Sequence, residues 1–171
     1  METHEISFRN DILPLKNKLF RLALRITLDR AEAEDVVQET MIRVWNKREE
    51  WTKLESIEAY CTAIAKHLAL DRSELKSAQT VALTPEVEQL SGASTPYNQL
   101  AEKERMLLIR QLIDELPEKQ RIVVQLRDIE GNSYREIADA LQMTEEQVKV
   151  NLFRARQKLR QQFLKIENYG I

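Results

Sequence analysis

The chain has 171 residues, of which 32% are charged and 6% aromatic, and its formal net charge is -2. That length allows one medium domain or two small ones. With only three Gly and four Pro among so many charged, Leu and Ala residues, the composition points to an all-helical protein, and the 43% apolar content excludes wholesale disorder.

The single cysteine, Cys61, excludes an intramolecular disulfide framework and any multi-cysteine metal site. It is expected as a small buried residue on a helix. The start, "METHEISFRNDILPL", lacks the basic opening and apolar core of a signal peptide. No apolar run approaches the roughly 20 residues needed to span a bilayer, so a cytoplasmic location is expected.

In chain order, Leu15, Leu19, Leu22, Ala23 and Ile26 fall at helical spacings. They predict an amphipathic helix from about Asp11 to Leu28. Asp29 stands three residues before Glu32, a helix-start signal, and the next helix carries Val36, Val37, Met41, Val44 and Trp45. The charged stretch "NKREEWTKLE" interrupts it. Ser56 can cap a third helix with the stripe Ile57, Cys61, Ile64 and Leu68.

After Lys76 the periodicity stops and Ser, Thr, Gln and Pro accumulate, which predicts a linker over 77–100. A second helical block follows. Leu108, Leu112 and Ile113 mark a helix ending at Leu116, because Pro117 disfavours helical geometry in the residue before it. Pro117 is expected to open the next helix, with Ile122, Val123, Leu126 and Ile129, and Gly131 to cap its end.

Then come two S/T-x-x-E/Q boxes, Ser133 with Glu136 and Thr144 with Gln147. They predict a two-turn helix, a short turn at Gln142 and Met143, and a longer helix: the helix-turn-helix pattern. Val148, Leu152, Ala155 and Leu159 form the inward face of the longer helix. Lys149, Asn151, Arg154, Arg156 and Lys158 are left outward, and no acidic residue occurs between Lys149 and Lys165. Like charges on one helix repel, so a merely solvated face seldom shows such a run. Bidentate Arg and a short amide suit major-groove reading with phosphate contact.

Two further sets stand in the first block. Asp35, Gln38, Glu39 and Ile42 share one helix face. No His or Cys joins them at ligand spacing and no Gly-rich phosphate loop exists, so a metal site, a cofactor and an enzyme are all disfavoured. The face suits either a docking partner or plain solvent. In the third helix, Lys66, His67 and Arg72, with Tyr60 and the upstream Trp51, can track and stack on an exposed single strand. Trp51 and Trp45 serve equally well as core aromatics.

In this order the strings "AEAEDVVQETMIRVW", "AYCTAIAKHLALD" and "LPEKQRIVVQLRDIEGNSYREIADALQMTEEQVKVNLFRARQKLR" resemble a known family, the RNA polymerase sigma factors of the extracytoplasmic-function class. The resemblance implies an all-α protein of two small helical domains, region 2 over 8–76 and region 4 over 101–167, on either side of a flexible linker. It implies a promoter-specificity subunit without catalytic activity. Asp35, Gln38, Glu39 and Ile42 would dock on the clamp helices of the polymerase beta-prime subunit. Trp51, Tyr60, Lys66, His67 and Arg72 would serve the promoter −10 element. Lys149, Asn151, Arg154, Arg156 and Lys158 would read the −35 element, with region 4 also touching the beta flap. Core RNA polymerase and promoter DNA are the implied partners, an anti-sigma factor is a further candidate, and no small-molecule substrate or cofactor is implied. Departures from the family pattern fall at Tyr60, His67, Glu74 and Asn151, in the promoter-reading helices, and leave the docking motif untouched. The competing reading is a stand-alone helix-turn-helix regulator.

Overall fold

The computed structural model describes residues 5–79 and 97–168. Seven α-helices make up its frame: α1 (Lys16–Thr27), α2 (Arg30–Asn46), α3 (Ile57–Gln79), α4 (Tyr97–Asp114), α5 (Glu118–Val124), α6 (Tyr134–Leu141) and α7 (Glu145–Asn168). Short 3-10 and π-helical turns join them, and every regular element among the described residues is helical.

The first helix begins later than its apolar spacing predicts. Pro14 has no N–H to give and fits only a first turn. The chain therefore passes through a π-turn at Phe8–Ile12 and a 3-10 turn at Leu13–Leu15 before α1 starts. Ser7 anchors this entry: its N–H donates to Asp11 Oδ2 at 2.7 Å and its hydroxyl accepts from Asn10 N–H at 3.3 Å. At the far end Leu28 takes a left-handed conformation and closes α1 onto the Leu24 carbonyl at 2.9 Å. Asp29 then caps α2, accepting from Glu32 N–H at 3.1 Å.

Within "NKREEWTKLE" a 3-10 helix, Arg48–Lys53, carries the buried Trp51. Its indole N–H donates to the Val44 carbonyl at 3.0 Å, and its ring meets Trp45 edge-on. Ser56 caps α3 through Ala59 N–H at 3.1 Å. The small residues Cys61, Ala65 and Ala69 are buried and let α3 lie close to α1 and α2. Ile57 and Ile64 of the expected stripe are half-buried against the same core.

In the second half α4 ends at Asp114, two residues before Leu116, and Pro117 occupies the N-cap of α5 rather than its first turn. After α5 the chain widens into a π-turn, Gln125–Ile129, which leaves Ile129 exposed where its spacing predicts burial. Gly131, with φ of 75°, ends this segment. Its N–H donates to the Arg127 carbonyl at 3.1 Å and Asn132 N–H to the Leu126 carbonyl at 2.9 Å. A side chain at that φ is strained, which is why glycine stands there.

The two halves meet. Helix α1 packs on α5 and α3 on α6, and buried side chains of both halves join one apolar cluster. Arg21 donates to both Glu130 oxygens, at 2.5 and 2.8 Å, and Arg25 to Asp114 at 2.7 Å. Polar groups run along the seam: Ser56, Glu58 and Thr62 of the first half face Asn132 and Glu136 of the second across a cavity of about 10 Å³. Helix α3 continues through Gln79 and α4 begins at Tyr97, so the linker expected over 77–100 is helical at its two ends, and its remainder, 80–96, lies outside the described residues.

Candidate polymerase and promoter interfaces

The helix-turn-helix is built as its two boxes require. Ser133 N–H donates to Glu136 Oε1 at 3.0 Å and Glu136 N–H to the Ser133 hydroxyl at 3.1 Å. The backbone and hydroxyl of Ser133 hold the Glu136 carboxyl below the usual carboxylate range. Thr144 and Gln147 repeat the exchange at 2.9 and 3.1 Å. Gln142 takes the left-handed turn position at φ of 55°. Its N–H donates to the Ala138 carbonyl, so the turn closes without the glycine usual there, at the steric cost a side chain carries in that region.

Val148, Leu152 and Ala155 are buried against the bundle, with Leu159 half-buried behind them. The opposite side of α7 presents Lys149, Arg154, Arg156 and Lys158 to solvent, while Asn151 is half-buried and its amide donates to the Gln147 carbonyl at 2.8 Å. The Lys149 ammonium stands 5.3 Å over the ring of Tyr134, whose ring Arg127 also covers at 4.3 Å. Arg156 is engaged: Asp128, on the π-turn, accepts from it at 2.5 and 3.1 Å.

Residues that the outward spacing also reaches, but the charge pattern hides, complete this face. Phe153 is 67% exposed and Val150 is exposed beside it. Each turns about 100° per residue from the buried Leu152 line, which is the signal that finds them. Exposed apolar groups of this kind can meet a thymine methyl where a helix enters a major groove.

On α2 the side chains of Asp35, Gln38 and Ile42 are exposed and Glu39 is half-buried. All four share one face, which Trp45 extends by a further exposed apolar surface. The carboxylates have partners. Arg72 of α3 reaches Glu32 at 2.8 Å, Glu39 at 3.3 Å and Asp35 at 3.5 Å. Arg43 also holds Glu39, at 3.0 Å.

The set expected to serve a melted strand is not gathered on one surface. Trp51 is 7% exposed with its N–H spent on Val44, so of its two sequence readings the geometry is that of a core aromatic. Lys66 is also largely buried, and desolvation lowers the pKa of its ammonium from the ordinary value. Tyr60 is half-buried, with its phenol pKa raised by desolvation and then by Glu50. His67 is exposed, and Arg72 is turned toward α2.

Among the described residues no group of His, Cys, Asp and Glu could hold a metal ion, and no helix is long and apolar enough to cross a membrane.

Comparison with known proteins places the chain in a family. Residues 12–79 match the model for Sigma-70 region 2, and residues 106–159 match that for Sigma-70, region 4. The chain is 32% identical over 154 residues to ECF RNA polymerase sigma factor SigL of Mycobacterium tuberculosis, spanning 90% of this chain and 85% of that protein. It is 29% identical to ECF RNA polymerase sigma factor SigW of Bacillus subtilis, over 86% of this chain and 83% of that one. Its fold is similar to that of sigma factor RpoE from Bartonella quintana, solved with the anti-sigma factor NepR, at a TM-score of 0.68 and 20% identity over 93% of this chain and 97% of that one. It is likewise similar to CnrH, solved with the cytosolic domain of CnrY, at a TM-score of 0.67 and 18% identity, covering 91% and 86% of the two chains. A capped helix-turn-helix behind a region 2 bundle, and these matches across most of its length, make this chain a member of the extracytoplasmic-function class of sigma-70 family RNA polymerase sigma factors, whose role is in transcription initiation.

Proposed function

We propose that the α2 face of Asp35, Gln38, Glu39 and Ile42 docks on the beta-prime clamp of core RNA polymerase, and that α7 reads the promoter −35 element. The observation that carries this is the presence in one chain of two unlike outward faces: an acidic–apolar stripe on α2 and a face on α7 whose charged groups from Lys149 to Lys165 are all basic. A stand-alone regulator has no use for the first. The exposed imidazole of His67 and the half-buried Tyr60 ring are the groups of α3 best placed to meet a −10 strand. Residues 8–76 and 101–167 act as the two working units, and an anti-sigma factor is a further partner, by analogy with the neighbours solved with NepR and with the cytosolic domain of CnrY.

The test of docking is the full-length double variant Asp35→Ala, Gln38→Ala. Both side chains are exposed on a helix, so helicity and thermal stability should hold while core polymerase binding weakens. Wild-type binding by a folded double variant would remove the docking assignment and place the polymerase contact elsewhere on the chain.

A further inference from the structure

We propose that Arg72 is a positioning residue of the polymerase-docking face: its guanidinium gathers Glu32, Asp35 and Glu39 into one fixed acidic patch that receives a cationic surface of core polymerase. This rests on the docking reading above. The three carboxylates lie on α2 at spacings of three and four, where like charges repel and long side chains splay apart. Arg72 enters from α3 and meets all three, with Nη1 at 2.8 Å from Glu32 and 3.5 Å from Asp35 and Nη2 at 3.3 Å from Glu39.

Only a planar fork spans them this way; a lysine ammonium is a single point of charge. One turn further, Lys76 reaches Asp29 at 2.7 Å, so the same two helices are tied twice. One guanidinium does not neutralise three carboxylates, and Asp35 stays 61% exposed, so the patch remains acidic and open to a partner. Each carboxylate keeps lone pairs for a second donor. Side chains already held in place lose less entropy when the partner arrives.

The geometry also separates Arg72 from the strand-contacting role that its sequence position suggests. A phosphate contact by Arg72 would have to break its bonds to α2, leaving Glu39 to Arg43 and taking from Glu32 and Asp35 the cation they share.

The experiment uses full-length chain with core polymerase, comparing wild type, Arg72→Ala, Arg72→Lys and the Asp35→Ala, Gln38→Ala double variant. Core affinity is measured by fluorescence anisotropy, and promoter opening is measured at saturating sigma factor. Arg72→Ala should weaken core affinity about fivefold, the scale of one partly exposed charge interaction. Arg72→Lys should recover part of this, and raising the concentration of either variant should restore promoter opening. Added to the double variant, Arg72→Ala should weaken core affinity less than it does alone, because one of the three carboxylates it positions is already gone.

Unchanged or tighter core binding by Arg72→Ala, alongside a weakened double variant, overturns the proposal and leaves docking standing. A double variant that binds as wild type overturns docking itself. An opening defect in Arg72→Ala that saturation does not cure makes Arg72 a promoter contact. Should Arg72→Ala fail to fold, Arg72→Lys carries the test: wild-type core affinity without the fork would sink the inference.

Discussion

Asp128→Ala should strengthen promoter binding, and should do so for every −35 sequence alike. Asp128 accepts twice from Arg156, at 2.5 and 3.1 Å, on side chains that are 34% and 50% exposed. If Arg156 meets a DNA phosphate, as its place on α7 implies, it must first leave this carboxylate. A pair so exposed stabilises by about 0.2–1 kcal/mol. Removing Asp128 abolishes that cost, which corresponds to a gain of about 1.4- to fivefold in affinity. It also takes a negative charge from the DNA side, so the slope of log affinity against log salt should steepen by up to about 0.9, one phosphate equivalent. The same pair ties the π-turn to α7, so the free chain should lose no more than about 1 kcal/mol of stability. Because the two halves share one apolar cluster, the assay uses full-length chain bound to core polymerase, titrated on promoter DNA at several salt concentrations. Affinity and slope equal to wild type would mean that Arg156 never exchanges Asp128 for phosphate. A gain confined to one base pair would mean that it reads sequence.

Three further outcomes can be checked on the same material. Lys158→Ala should weaken all −35 sequences about equally and lower the salt slope by about 0.9, whereas Arg154→Ala should relax preference at one base pair by roughly 1–3 kcal/mol; a uniform loss with Arg154→Ala would make it a phosphate contact. Trp51→Phe should cost about 1 kcal/mol, since the Val44 carbonyl loses the indole donor and keeps only the longer bond from Lys47 N–H, while promoter opening at saturation survives; lost opening with unchanged stability would return Trp51 to the DNA face. Cys61, buried so that its thiol is pushed up to about 12, should resist a thiol reagent at pH 8 and react only as fast as the bundle opens; prompt stoichiometric labelling of native protein would contradict its place in the core.

What could be read from the sequence was local, and what could not was tertiary. Both helix-turn-helix boxes, the Asp29 and Ser56 caps and the Gly131 stop act within a few residues, so residue type and spacing reveal them. The inward line Val148, Leu152 and Ala155 follows from helical period alone. Pro14 shows the limit: apolar spacing ran through it, and the missing N–H decided otherwise. Trp51 could have gone to core or surface, because an indole is large enough to fill a bundle and polar enough to leave it; the Val44 carbonyl within reach decided for the core. The partners of Arg72 lie 33 to 40 residues away and that of Arg156 lies 28 away. No helical period links such pairs, so cations that looked outward by spacing turned out to be held by acids from other elements.

That pairing bears on how a chain of net charge -2 can act on a polyanion. On the proposed reading, a wholly unpaired basic helix would bind any duplex, since phosphate attraction carries no sequence information. Here Arg156 gives up Asp128 whenever it takes a phosphate, and an exchange of one exposed ion pair for another yields little net affinity. The non-specific term is thereby reduced, while a bidentate contact to a base edge keeps its full discrimination. Discrimination then depends on the groups that reach base edges, with Arg154 and the exposed Phe153 foremost among them. If α2 docks on polymerase as proposed, its acidic patch works in the same direction, because it repels DNA from that face. On this reading the free chain should bind promoter DNA weakly and the polymerase-bound chain selectively, and one charge arrangement would account for both.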